Sequence, residues 1–295
     1  MKIKIYNKII NINDHYCQLN NNPLVKIDKP YINLSIRFKG CNANCDFCTY
    51  MDSAANFNFD KYIEILEYLN NTIHINNFNF TGGEPTLNYK KFKNIFNETT
   101  KIIKKSKITI HTNGLNLDKL MTDKNIYNNL YHISLSRHHY DNEKNNEIFK
   151  TNTISNKNIK KLQKNIKNKN ILNLSCNLIK NYIDNDNEII KYMDFASNLD
   201  INLIGFITLM SNNDYSKEHF IPFHNFKLNK KKITMTKEWK EPNNNCKCNN
   251  YLYISKNNKI LKIYNKSVLN DNTSTNHLTF DGEHLRIGYI GDIIY

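Results

Sequence analysis

Arginine is almost missing from this chain: of its 41 Lys+Arg, only Arg37, Arg137 and Arg286 are arginines. Alanine is as scarce, with four residues, and there are 8 Gly, 5 Pro and 1 Trp. So little glycine and proline excludes a collagen-like or Pro/Gly-rich low-complexity chain. No run approaches the ~18 apolar residues of a membrane-spanning helix. The longest mostly apolar stretch, Ile204 to Met210, is strand-sized. The first residues carry Lys2 and Lys4 but lack the apolar core of a secretory signal. These absences lead us to expect a soluble, cytoplasmic protein without a membrane partner, in which thiols stay reduced. The seven cysteines, an odd number, then read as metal ligands or free thiols rather than as a disulfide framework.

Asparagine, by contrast, supplies 55 residues, and hydrophobic residues make up 40% of the chain, enough for a sizeable core. The net charge of +14 first suggests a nucleic-acid binder. However, the cations are nearly all lysine, and Lys, Asn, Ile and Tyr are all favoured by AT-rich codons. A solvated lysine surface is therefore the preferred reading, and nucleic acid an unlikely partner.

Strand and helix patterns alternate along the chain. Tyr31 to Phe38 alternates apolar and polar residues as a strand does, and His74 to Phe80 does so up to Gly82. Lys107 to His111, Tyr131 to Ser136, Ile171 to Ile179 and Ile201 to Met210 read as four further strands. Helical spacing marks Tyr62, Ile63, Leu66 and Leu69 after a cap at Asp60, then Tyr89 to Phe96, 118–130, 159–166 and Ile189 to Ala196. Six strands alternating with helices predict a parallel α/β sheet with right-handed crossovers. Periodicity does not decide whether that sheet is open or curled into a partial barrel. We divide the chain into an N-terminal segment (1–30), a core (31–211) and an irregular or antiparallel C-terminal segment (212–295) that covers the substrate.

The sharpest feature is Cys41-Asn-Ala-Asn-Cys45-Asp-Phe-Cys48, a C-x3-C-x2-C run just after the first core strand. Thiolates at this spacing wrap one face of an iron–sulfur cluster and leave one iron without a protein ligand. Zinc is the alternative, but structural zinc sites usually add a nearby fourth Cys or His, and no cysteine follows Cys48 until Cys176.

In this loop the chain resembles the radical S-adenosylmethionine (radical SAM) superfamily. Its hallmark is this spacing after the first strand of a partial (β/α)6 TIM-like barrel, with an aromatic residue, here Phe47, before the last cysteine. Phe80-Thr-Gly-Gly-Glu-Pro85 looks like the family's GGEP motif, His111-Thr-Asn-Gly114 like its T-N-G ending, and Tyr131 to Ser136 like its fourth strand. The resemblance covers roughly residues 30–210. It implies a [4Fe–4S] cluster on Cys41, Cys45 and Cys48, whose open iron takes the amino and carboxylate groups of SAM. It also implies reductive cleavage of SAM and abstraction of a substrate hydrogen. Gly82, Gly83, Glu84, Asn113, Ser134, Ser136 and Arg137 would contact SAM, with Phe47 beside the adenine.

Beyond the fourth strand, His138 and His139 are candidates for acid–base catalysis or substrate binding. Cys176 shares a strand face with Leu172, Leu174 and Leu178, so it reads as a structural thiol rather than a hydrogen donor. Cys246 and Cys248 are candidates for a second metal site but are too few to hold a cluster alone. The reading is thus a radical SAM enzyme acting on a small molecule or peptide, served by an acidic flavodoxin- or ferredoxin-like electron donor. The alternative is a non-catalytic iron–sulfur or zinc module that binds nucleic acid through its lysines.

Overall fold

Strand alternation sets the architecture. In the computed structural model, which describes residues 2–11, 31–48, 57–210, 213–222, 233–235, 249–266, 277–289 and 291–295, six core strands run side by side in chain order. They are β3 (Tyr31–Phe38), β4 (His74–Gly82), β5 (Lys107–Thr112), β6 (His132–Ser136), β7 (Leu172–Leu178) and β8 (Leu203–Thr208). Every neighbouring pair among them is parallel. A strand order that follows chain order without reversal is the winding of a (β/α) barrel rather than of a doubly wound sheet.

An antiparallel hairpin, β1 (Lys2–Ile5) and β2 (Lys8–Asn11), precedes the core. It buries Ile5 and Ile10 in the main hydrophobic cluster and sandwiches Tyr6 between Tyr68 and Tyr295, with both ring centroids 4.1 Å away. The connections carry α1 (Phe59–Thr72), α2 (Tyr89–Ile102), α3 (Leu117–Thr122), α4 (Lys124–Tyr127), α5 (Asn142–Phe149), α6 (Asn156–Asn165) and α7 (Asp186–Asn198). After β8 come α8 (Asp214–Glu218), β9 (Ile233–Met235), β10 (Asn249–Ile254), β11 (Ile260–Lys266), β12 (His277–Phe280) and β13 (Leu285–Ile287). The C-terminal segment is antiparallel within itself, as expected, yet it extends the same sheet at both edges. β11 lies parallel to β8, and β12 lies parallel to β3. The result is one 11-stranded sheet whose edge strands, β13 and β9, do not pair with each other among the described residues, so the sheet forms a partial barrel.

Each core strand turns one apolar face to the helices. Ile32, Leu34 and Ile36 of β3, Phe78 and Phe80 of β4, and Leu172, Leu174 and Cys176 of β7 are fully or almost fully buried. They form one cluster with Tyr62, Ile65, Leu66 and Leu69 of α1 and Phe92, Ile95 and Phe96 of α2. Each such side chain contributes about 1.5–3 kcal/mol by leaving water. The opposite face of β3 to β7 is largely polar, unlike the branched aliphatic layers usual inside such barrels. Asn77 and Asn79 of β4 there donate to Asn33 (2.9 Å) and Ser35 (3.4 Å) of β3. The six core strands contain no Asp or Glu at all.

Several boundaries differ from expectation for local reasons. Asn58, not Asp60, caps α1 by accepting from the Lys61 N–H, while Asp60 sits in the first turn, where its charge complements the helix dipole. The helix expected over 118–130 is two short helices, because Asp123 caps a second start at Lys124 by accepting from the Asn125 N–H. α5 lies between Ser136 and residue 159, where the sequence patterns mark no element. Asp141 caps it by accepting from the Glu143 and Lys144 N–H groups.

Candidate functional site

The 41–48 loop is held on two sides. On the first, Gly40 (φ +82°) ends the extension of β3, and the turn after β4 packs directly on it. The N–H groups of Gly83 and Glu84 donate to the carbonyls of Phe38 (2.8 Å) and Gly40 (2.9 Å). A Cβ on Gly83 would lie 2.0 Å from the Gly40 oxygen, and one on Gly82 (φ +112°) 2.4 Å from the Phe38 oxygen. The two glycines are therefore required by contact between protein backbones, whatever else approaches them.

Glu84, expected to contact SAM from an open loop, is instead 1% exposed. Its Oε1 accepts from the Thr86 N–H (3.0 Å), the Thr86 hydroxyl (2.5 Å) and the Thr112 hydroxyl (2.8 Å), and its Oε2 accepts from the Asn113 N–H (2.7 Å). These four bonds, three at Oε1 and one at Oε2, join the turn after β4 to the turn after β5. Burial raises its pKa, against the pull of these donors. The Asn113 amide then reaches the cysteine loop, donating to Asn42 Oδ1 at 2.8 Å and lying 3.6 Å from Cys41 Sγ.

On the second side, the C-terminus of α5 grips the loop. The Asn44 N–H donates to the Phe149 carbonyl at 3.0 Å, and Lys150 forms an ion pair with Asp46. Asn213, the N-cap of α8, donates to the Asp46 carbonyl (2.9 Å). Half-buried Phe47 meets the His138 ring edge-on at 5.2 Å, and the opposite contact of that imidazole is a stack on Phe149 at 4.8 Å.

Cys41 is exposed, Cys45 buried and Cys48 half-buried, and all three are free thiols. Cys45 is pushed up to about 12, first by burial and then by Cys48 and Cys41; burial also raises Cys41. Among the described residues, no three His, Cys, Asp or Glu side chains already converge as ligands of one metal ion. The donor chemistry nevertheless fits a thiolate-held cluster: three mutually interacting thiols lie on one braced loop, and iron would displace their protons.

Arg137, His138 and His139 lie deeper than expected, whereas Cys176 lies in the core as expected. Arg137, expected to face SAM, is 1% exposed, and its guanidinium is engaged by the chain. Nε donates to the His139 carbonyl (3.0 Å), Nη1 to the Ile154 carbonyl (2.9 Å) and Nη2 to Asn142 Oδ1 (2.8 Å). Burial lowers its pKa to about 10, so it stays charged among neutral acceptors. His138 and His139, expected at the pocket edge, are 4% and 0% exposed. Burial lowers them to about 3 and about 4, well below the range of an acid–base group working near neutrality. His138 Nδ1 accepts from the Asn177 N–H (3.0 Å) and His139 Nδ1 from the Asp141 N–H (2.9 Å), which leaves each ring proton on Nε2. Ser134 is buried and Ser136 half-buried, in register with Asn173 and Ser175 of β7. Cys176 lies fully buried in the hydrophobic core, its Sγ 3.7 Å from the His138 carbonyl. Cys246 and Cys248 fall outside the described residues. Sequence reasoning missed Thr86, Thr112, Phe149, Lys150 and Asn145; only the hydroxyls flanking Glu84 and Asn113 in the two motifs offered a signal.

The Radical SAM superfamily model matches residues 35–196, more than half of the chain. The protein belongs to the radical SAM superfamily, a superfamily of enzymes. Among solved structures, it is similar to Streptococcus suis SuiB bound to precursor peptide SuiA, at 20% identity and a TM-score of 0.50, covering 64% of this chain and 42% of that one. SuiB bound to S-adenosylmethionine matches at 20% identity and a TM-score of 0.49, over 64% and 43% of the two chains. Coproporphyrinogen III oxidase (HemN) from Escherichia coli matches at 14% identity and a TM-score of 0.46, over 66% and 49%. The match thus spans less than half of each of these longer chains. No curated protein sequence matches this one. Among the described residues, no helix is long and apolar enough to cross a membrane.

Proposed function

We propose that Cys41, Cys45 and Cys48 hold a [4Fe–4S] cluster and that the chain is a cytoplasmic enzyme acting on a small molecule or a peptide. The observation that carries this reading is the double brace on the cysteine loop, one side of which is built from the two glycine turns that also mark the family. When bound and reduced, the cluster supplies one electron that cleaves SAM and generates a carbon radical able to take hydrogen from the substrate. The chain's own residues bind and orient. The Gly82–Gly83 backbone, Asn113, Ser134 and Ser136 lie at or near the C-terminal ends of β4, β5 and β6, where parallel α/β folds bind ligands, and are assigned to SAM. Phe47 is assigned to its adenine. Glu84 shapes this wall from behind: it is 1% exposed, and its oxygens accept from Thr86, Thr112 and Asn113. The peptide-bound SuiB relative supports a peptide as one substrate class.

The test is anaerobic reconstitution with iron, sulfide, reductant and SAM. The expected products are methionine and 5′-deoxyadenosine, and Cys45→Ala abolishes both iron loading and product. Full iron retention by Cys45→Ala would sink the assignment. The net charge of +14 further suits an acidic one-electron donor of the flavodoxin or ferredoxin kind. Its reduction of the cluster should slow as salt is added, and a rate insensitive to ionic strength counts against it.

A further inference from the structure

We propose that Arg137 is a positioning residue for the 41–48 loop, acting through α5; the inference rests on the reading of that loop as the holder of the cluster. Arg137 follows the last residue of β6, and its own N–H donates to the Ser175 carbonyl of β7 (2.9 Å), while its carbonyl accepts from the Tyr192 hydroxyl of α7 (2.6 Å). The backbone at this point is therefore fixed to the sheet and to a helix. From there the guanidinium spans both ends of the following excursion, reaching Asn142 in the first turn of α5 and Ile154 beyond its end. Asn145, fully buried in the middle of α5, reinforces the attachment: its Oδ1 accepts from the N–H groups of His138 (2.8 Å) and His139 (3.2 Å).

α5 is eight residues of mostly polar sequence, and its buried apolar anchors, Ile148 and Phe149, both lie at its C-terminal end. The rest of the helix is positioned by these hydrogen bonds, and charge-assisted ones are the strongest of them. At its far end Lys150 enters the left-handed region (φ +52°), which terminates the helix. That end presents the Phe149 carbonyl to the Asn44 N–H, the Phe149 ring to His138, and the Lys150 ammonium to Asp46. A planar fork that bonds in three directions supplies this geometry; a lysine ammonium, a point charge on a flexible stem, does not.

The experiment uses the full chain in two states. In the cluster-free state, amide hydrogen exchange is followed over residues 41–48 and, as a remote reference, over α2. In the reconstituted state, iron release to a ferrous chelator and SAM affinity are followed. For Arg137→Lys, exchange over 41–48 and iron release both rise on the order of tenfold, the equivalent of losing about one charge-assisted buried hydrogen bond, while α2 is unchanged. SAM affinity per loaded cluster changes by less than about twofold, within the scatter expected of a residue that makes no ligand contact. If Arg137→Lys fails to fold, the exposed pair decides: Lys150→Met and Asp46→Asn each speed exchange and iron release about two- to fivefold, and the double variant is no worse than either single one. Unaltered exchange over 41–48 in every folded variant overturns the proposal. So does wild-type iron retention in Arg137→Lys together with weakened SAM binding, which would make the guanidinium a ligand contact. Failure of the cluster reading itself looks different: the unaltered chain takes up no iron, while the cluster-free exchange comparison still decides the positioning role.

Discussion

Glu84→Gln isolates the brace between the two glycine turns. The carboxylate is 1% exposed and accepts four hydrogen bonds, all from donors. A glutamine can keep its carbonyl oxygen where Oε1 accepts from Thr86 and Thr112. Its NH2 group then faces the Asn113 N–H, donor against donor, and that backbone group is left buried without an acceptor. An unsatisfied buried donor costs about 1–3 kcal/mol, and the remaining bonds lose their charge assistance, so the total is roughly 2–4 kcal/mol. For a chain of this size that corresponds to a fall in Tm of roughly 3–6 °C. The assay is thermal and urea unfolding of the cluster-free chain, followed by iron uptake of the folded variant. The loss should appear without any cofactor present, because the partners of Glu84 are all within the chain. A Glu84→Gln variant as stable as the parent, with altered SAM affinity alone, would refute the argument and return Glu84 to a direct ligand role.

Gly83→Ala should destabilise the chain by more than about 2 kcal/mol and prevent cluster loading, since its Cβ would meet the Gly40 backbone oxygen at 2.0 Å and backbone cannot swing aside; a folded variant that loads iron normally contradicts this. His138 and His139 predict an acid limb of stability. Their folded pKa values, about 3 and about 4, lie below the ordinary 6.5, so the unfolded chain binds more protons as pH falls. Stability from these groups is complete above 6.5 and declines between pH 6.5 and 4, by about 1.4 kcal/mol per pH unit for each histidine once the unfolded form is protonated. Urea titrations at pH 7, 6 and 5 measure this slope, and a slope indistinguishable between the parent and a His138→Gln, His139→Gln double variant would show that these groups do not cause it.

Much of the core was readable because its signals are local. Tyr31–Phe38 emerged with the expected bounds, since strict alternation assigns all of its aliphatic side chains to one face. The same alternation placed Cys176 with its leucine neighbours in the core. α5 was not readable: its eight residues carry almost no apolar periodicity, and its place depends on Arg137 and Asn145 making bonds that no spacing rule encodes. The C-terminal strands were expected as an antiparallel cover; their return to both edges of the sheet depends on strands distant in sequence.

The sequence by itself determined the kind of protein, because three cysteines and two glycine turns at strand ends state a chemistry and a winding order through short-range spacing alone. Tertiary structure decided what the polar side chains do. Glu84, Arg137, His138 and His139 all stand in loops that look open in the sequence, and all four are buried. Burial and partnership are properties of segments brought together from distant positions: the donors that hold Glu84 come partly from the next strand's turn, and the acceptors that hold Arg137 come from both ends of the α5 excursion. A motif identifies which groups are present; the fold decides which of them still face the ligand.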